Sequence, residues 1–251
     1  MNDPEAVARE AAAIIAAEAR IAVAARGKFA MAVSGGRTPW QMLRALASMT
    51  PMGGRASSQA AQPASSEVPW PSLHLFQVDE RVAPTGDPDR NLTHIQECLL
   101  PHTPISPQQI YAMPVGETDL EQAAADYARK IESIAGKPAV LDLVHLGLGA
   151  DGHTASLVPG DPVLEVSDRD VAFTGVYQAR RRMTLTYPLL NRARRILWVV
   201  TGAEKAEMLA RLLDGDPSIP AGRISHENAL VLTDKDALAG SRPKEMPGMK
   251  P

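Results

Sequence analysis

Asp151 and His153 are the residues best suited to chemistry, two positions apart in Gly147-Leu148-Gly149-Ala150-Asp151-Gly152-His153-Thr154-Ala155-Ser156-Leu157-Val158-Pro159-Gly160. This glycine-rich stretch follows directly on the apolar run Leu141-Asp142-Leu143-Val144-His145-Leu146, which has the length and composition of a buried strand. An imidazole and a carboxylate at the carboxyl end of such a strand stand where α/β proteins place their ligands. The chemistry on offer is general acid–base catalysis by His153, with Asp151 orienting the ring or raising its basicity.

Three further motifs also sit just past a strand-like run. Val33-Ser34-Gly35-Gly36-Arg37-Thr38-Pro39 closes a strand and opens a helix, so the Ser34, Gly35 and Gly36 amides, with Arg37 beside them, form a candidate phosphate cradle. It fits neither the Walker pattern nor the spaced-glycine dinucleotide pattern, so no nucleotide is implied; an ordinary strand-to-helix turn using glycine for positive φ is the alternative. Gln77-Val78-Asp79-Glu80-Arg81-Val82 offers carboxylates for proton handling or sugar hydroxyls and a guanidinium for an anion, or is a solvated loop cluster. Thr201-Gly202-Ala203-Glu204-Lys205 places an ammonium one turn into a helix, where an exposed lysine is the plain alternative. His74, His94, His102, His145 and His226 lack metal-ligand spacing, and no metal or cofactor is expected.

The elements that must position these groups alternate. Strand-like runs at Phe29 to Val33, Leu73 to Val78, Leu141 to Leu146 and Ile196 to Val200 are separated, for the most part, by helical patterns. Continuous apolar runs of this kind imply a parallel sheet covered on both faces, which brings all four motifs to one edge. Helices are expected over Pro39 to Ser48 behind a Thr38 cap, Asp119 to Ala135, and Ala203 to Leu213 after Gly202. Val171 to Val176 and Arg182 to Tyr187 read as strands at a sheet edge or in a small subsidiary sheet.

Composition bounds the class. With 251 residues, 45% of them hydrophobic, and a net charge of −3, the chain can bury a large core and shows no bias toward nucleic acid or membrane surfaces. Cys98 is the lone cysteine, which rules out an intramolecular disulfide and suits the cytoplasm. Charges spread through Met1 to Gly27 break any signal-peptide or membrane-span pattern; Asp3 and Pro4 instead read as the start of a helix. One domain over residues 1–239 is expected, with a flexible Ser/Ala/Gln/Gly/Pro-rich excursion at Thr50 to Pro69 and a disordered tail over residues 240–251.

VSGGRTP, DERV, LGLGADGHTASLVPG, RMTLTYPLLN and TGAEKAEML, in this order, resemble the 6-phosphogluconolactonases. The resemblance runs from about Glu10 to Ala237 and implies a three-layer α/β/α Rossmann-like fold with a mostly parallel central sheet, shared with glucosamine-6-phosphate deaminases and ribose-5-phosphate isomerases. It implies hydrolysis of 6-phospho-D-glucono-1,5-lactone, a sugar phosphate lactone, with His153 as base, by a monomer or weak homodimer. Ser34, Gly35, Gly36, Arg37, Arg81, Lys205 and, more weakly, Arg182 are then the phosphate candidates, with Asp79 and Asn91 on sugar hydroxyls. The glutamate of the deaminase motif is missing after His153, which disfavours deamination. A non-catalytic sugar-phosphate sensor is disfavoured because the helix from about Asp3 to Arg26 leaves no room for a DNA-binding module. Departures from the family pattern are Val158 for phenylalanine, Ala83 for a bulkier residue, Arg90 for serine and Gly222 for alanine.

Overall fold

The computed structural model describes residues 1–50 and 67–239; the expected tail and most of the expected excursion lie outside them. In chain order the elements are α1 (Pro4–Arg26), β1 (Phe29–Val33), α2 (Arg37–Ser48), β2 (Leu73–Gln77), β3 (Asp79–Arg81), α3 (Asn91–Leu99), β4 (Ile110–Tyr111), α4 (Leu120–Ala135), β5 (Leu143–Leu146), β6 (Val171–Phe173), β7 (Arg182–Leu185), α5 (Tyr187–Asn191), β8 (Ile196–Val200), α6 (Ala206–Leu213), β9 (Ala229–Thr233) and α7 (Lys235–Ala239). Six strands pair in the order β4-β2-β1-β5-β8-β9, and every pairing in this sheet is parallel. The subsidiary sheet is antiparallel, in the order β3-β7-β6.

Alternation along the buried strands divides the core in two. Phe29, Met31 and Val33 of β1 join Leu143 and Leu197 on the face covered by α1, α2 and α3. Ala30 and Ala32 join Val144, Leu146, Ile196 and Trp198 on the opposite face, with α4, α6 and the small sheet. Each large side chain fully buried here, such as Phe76 or Trp198, contributes on the order of 2–3 kcal/mol. The result is the three-layer α/β/α arrangement, with residues of period two facing opposite layers.

Local chemistry sets the helix ends. Asp3 Oδ1 accepts from the Ala6 amide at 2.8 Å, Pro4 opens the first turn, and Gly27, at φ 72°, closes α1 by donating to Val23. Asp119 caps α4 through the Gln122 amide. The expected Thr38 cap is wrong: α2 begins at Arg37 with Gly36 as its cap, because the Thr38 hydroxyl is taken by Thr201 at 2.9 Å. The run Leu73 to Val78 is likewise not one strand. Val78 donates to Val33 in the large sheet and accepts from Leu185 in the small one, so the chain changes sheets there.

The expected excursion spans Thr50 to Pro69, and its described ends are packed. Thr50 accepts a hydrogen bond from the Trp70 indole at 2.8 Å, and Val68 is buried, so both belong to the packed body. Among the described residues no helix is long and apolar enough to cross a membrane.

Candidate active site

The ends of β1, β5 and β8 meet the small sheet around a cleft of about 170 Å³. Ser34, Gly35, Asp79, Arg81, Asn91, His153, Arg182 and Lys205 all line it. Gly36 and Arg37 line an adjoining cavity of about 540 Å³, which shares Gly35 and Lys205 with the first. Asp151 stands behind His153.

The loop after β5 is built to present the imidazole. His153 Nδ1 lies 2.5 Å from Asp151 Oδ1, whose carboxylate is also held by the His153 amide and, through Oδ2, by the Tyr177 hydroxyl at 3.0 Å. Partial burial pushes the Asp151 pKa up, but the His153 charge and the hydrogen bonds from His153 and Tyr177 outweigh it and hold the carboxyl below its usual range. With Nδ1 engaged, Nε2 is the ring nitrogen left for the cleft. A Cβ on Gly149 would lie 2.1 Å from His153 Nδ1 and 2.5 Å from Asp151 Oδ1, so only glycine lets both groups close over the turn. Thr154 ties the loop to Gly147, and Ser156 donates to Asp79 at 2.6 Å. These two hydroxyls explain the Thr-Ala-Ser spacing after His153.

Opposite the imidazole stand cations. Arg81 and Arg182 are register partners across β3 and β7, an arrangement of like charges that is unfavourable by itself. Each has a buried Nε without a hydrogen-bond partner. Burial is the main force pushing the Arg182 pKa down, with Arg81 adding to it and Asp79 opposing. Lys205 makes no ion pair with any described residue and lines both cavities. Such a group of half-used donors is matched by an anion.

Several expected contacts are revised. The Ser34 amide donates to His145 Nδ1 at 3.3 Å and its hydroxyl to the His145 carbonyl at 3.1 Å, so Ser34 fixes β1 against β5 and has no free amide for a phosphate. Asn91 is committed as well. Its amide nitrogen donates to Asp79, and its oxygen accepts from Arg81 Nη1 at 2.9 Å, which makes it a brace for that guanidinium. Asp79 spends both carboxylate oxygens, on Asn91 and Ser156, and lies in the wall as a support. The absence of a Cβ at Gly35 is what admits Asn91, whose Oδ1 would otherwise be 1.8 Å away.

Glu80 carries no reacting role here, although it adjoins the site. Fully buried, it accepts from Gln77 and from the amides of Arg81, Asn91 and Leu92, and pairs with Arg90 at 3.0 Å. Arg90 thus pairs inside the protein where the family pattern has serine. Gly222 has an equally local reason, since a Cβ there would fall 2.0 Å from the Asp216 carbonyl. Sequence reasoning missed Tyr177, Ser156 and Asp234. Asp234, buried, accepts from the Gly202 amide at 3.1 Å and from Ala237 at 2.9 Å, anchoring the turn that leads to Lys205.

The model of the family described as glucosamine-6-phosphate isomerases/6-phosphogluconolactonase matches residues 2–232. A 6-phosphogluconolactonase of Synechocystis is 34% identical over 221 residues, 85% of each chain. One from Streptomyces coelicolor is 33% identical over 262 residues, covering 98% of this chain and 94% of its own. The crystal structure of a 6-phosphogluconolactonase from Thermotoga maritima superposes with a TM-score of 0.76 at 26% identity, over 93% of this chain and 96% of that one. The chain belongs to the glucosamine-6-phosphate isomerase/6-phosphogluconolactonase family.

Proposed function

We infer that this protein is a 6-phosphogluconolactonase, hydrolysing 6-phospho-D-glucono-1,5-lactone to 6-phospho-D-gluconate in the oxidative pentose phosphate pathway. The observation that carries the chemistry is the Asp151–His153 pair facing, across one cleft, two arginines with unspent donors.

In the reaction we assign to the site, His153 Nε2 takes a proton from water as the water oxygen bonds to C1 of the lactone. The tetrahedral intermediate then collapses, the bond from C1 to the ring oxygen breaks, and the imidazolium returns its proton to that oxygen. The net change is addition of one water, and the product carboxylic acid ionises in solution. Asp151 steadies the imidazolium while it exists. Arg81, Arg182 and Lys205 hold the anionic end, joined by the Gly35 and Gly36 amides and Arg37 at the start of α2, where the helix dipole favours negative charge. Fixing the substrate by its non-reacting phosphate places the carbonyl against His153, so part of that binding energy appears in the rate.

The test is hydrolysis of freshly made lactone by wild type and His153→Ala, coupled to 6-phosphogluconate dehydrogenase, with spontaneous hydrolysis subtracted. A fall of about 100-fold is expected, the usual worth of a positioned acid–base group. Unchanged activity in His153→Ala would remove the base assignment, and an inactive wild type would remove the function.

A further inference from the structure

Behind His153 lies the hairpin that joins β6 to β7. Tyr177 donates to Asp151 Oδ2 at 3.0 Å while Oδ1 faces His153, so the carboxylate is held at both oxygens. The Tyr177 ring stands edge-on to the imidazole, with centroids 5.6 Å apart, and the Arg182 guanidinium lies 4.9 Å from its centroid. Arg182 Nη2 also donates to Gln178 at 2.9 Å. One hairpin tip therefore touches both halves of the site, the acid–base pair and the anion-binding cation.

The tip is held in a conformation that the chain does not adopt freely. Gln178 and Ala179 both have left-handed φ values, 51° and 63°, and neither is glycine. Reciprocal backbone bonds between Tyr177 and Arg180, at 3.0 and 3.2 Å, close the turn. Arg180 then pairs with Asp87 and Asp89, which fastens the tip to the loop before α3. Strain kept in place by external clamps is characteristic of segments that aim functional groups.

We propose that Tyr177 is a positioning residue, which locks the Asp151 carboxylate against His153 through its hydroxyl and seats Arg182 on its ring. This rests on the reading of His153 as base and adds the group that fixes its geometry. The phenol suits this role, because burial first, then the hydrogen bond to Asp151 and its charge, raise its pKa and keep it a neutral donor. Without that donor the Asp151 charge concentrates on the oxygen facing His153, and the pair keeps its shared proton to higher pH. The charged groups facing the pair are Arg182 from β7, Asp79 and Arg81 from β3, and Lys205 from the turn before α6; Tyr177→Phe leaves all of them in place.

The experiment compares Tyr177→Phe and Tyr177→Ala with wild type, His153→Ala and Asp151→Asn, each checked for folding by circular dichroism. Tyr177→Phe is expected to lower kcat by roughly five- to ten-fold, the effect of losing one partly exposed charge-assisted hydrogen bond. Its KM stays within roughly two-fold, and the acid limb of kcat/KM moves to higher pH. Tyr177→Ala also raises KM, because Arg182 loses its platform. A cycle of Tyr177→Phe with Asp151→Asn is less than additive. NMR titration of the His153 ring provides a readout independent of turnover, with its midpoint moving to higher pH in Tyr177→Phe. Wild-type kcat with an unmoved midpoint overturns the proposal, as does an effect confined to KM. If His153→Ala remains active, the base reading fails, and the ring titration still decides whether Tyr177 governs the Asp151–His153 pair.

Discussion

Replacing Gly149 by alanine adds one methyl group where the His153 and Asp151 side chains already occupy the space. The new Cβ would lie 2.1 Å from His153 Nδ1 and 2.4 Å from Cε1, against an ordinary contact of at least 3.4 Å, so the imidazole has to retreat by about 1.3 Å. The retreat is possible because the His153 side chain is only three-quarters buried, at 25% exposure. Gly149 is not in the left-handed region, so alanine meets no backbone penalty, and its lower unfolded-state entropy favours folding by about 0.4–1 kcal/mol. The expected variant is folded, with a melting temperature close to that of wild type, and catalytically crippled. A misplacement of about 1 Å at a reacting group costs on the order of 100-fold in rate. Coupled lactone hydrolysis gives kcat, and a thermal melt on the same sample gives stability. A folded Gly149→Ala retaining kcat within roughly three-fold of wild type would refute the argument that the position of His153 sets the rate.

At Gly35 the added Cβ would strike buried Asn91 at 1.8 Å, so Gly35→Ala should lose about 2–3 kcal/mol of stability in urea titrations as well as activity. Lys205→Ala, which breaks no ion pair with a described residue, should leave the unfolding midpoint unchanged while kcat/KM for the phosphorylated lactone falls roughly 10- to 100-fold; an unchanged kcat/KM would move the phosphate elsewhere. Burial of His145 pushes its pKa down to about 3, below its unfolded value, so the unfolded state binds the extra proton in the acid range. Its contribution is therefore fully present above about pH 6.5 and is lost as pH falls from there toward 3, a loss on the order of 2 kcal/mol by pH 5. Urea unfolding against pH should show this slope in wild type and a shallower one in His145→Gln; identical slopes would count against it.

Phe29–Val33 and Ile196–Val200 are legible to the residue, because a strand buried on both faces is an unbroken apolar run. The two edge strands are not. Ile110–Tyr111 is too short to show a period, and Ala229–Thr233 is only partly buried, with a correspondingly weak pattern. The change of sheets at Val78 leaves no trace in composition, since Val78 is as apolar as the strand it ends. In the site, Asp151 and His153 announce themselves through a glycine loop in which both are neighbours. Asn91, Glu80 and Ser34 look like available polar groups until the fold commits them to Arg81, the start of α3 and His145. Tyr177 meets Asp151 across 26 residues of sequence, a pairing that only the hairpin creates.

The bond from Gly202 to Asp234 has a consequence for biosynthesis. The two central strands, β1 and β5, lie in the first three-fifths of the chain, and the later strands of this sheet, β8 and then β9, are added outward from β5. A nascent chain that has emerged as far as α6 already holds His153, Arg81 and Lys205, but the turn carrying Lys205 lacks the carboxylate that anchors it. The turn that carries Lys205 thus gains its anchor only when translation has passed residue 234. From that moment any bound sugar phosphate draws the folding equilibrium of the whole chain toward the finished sheet.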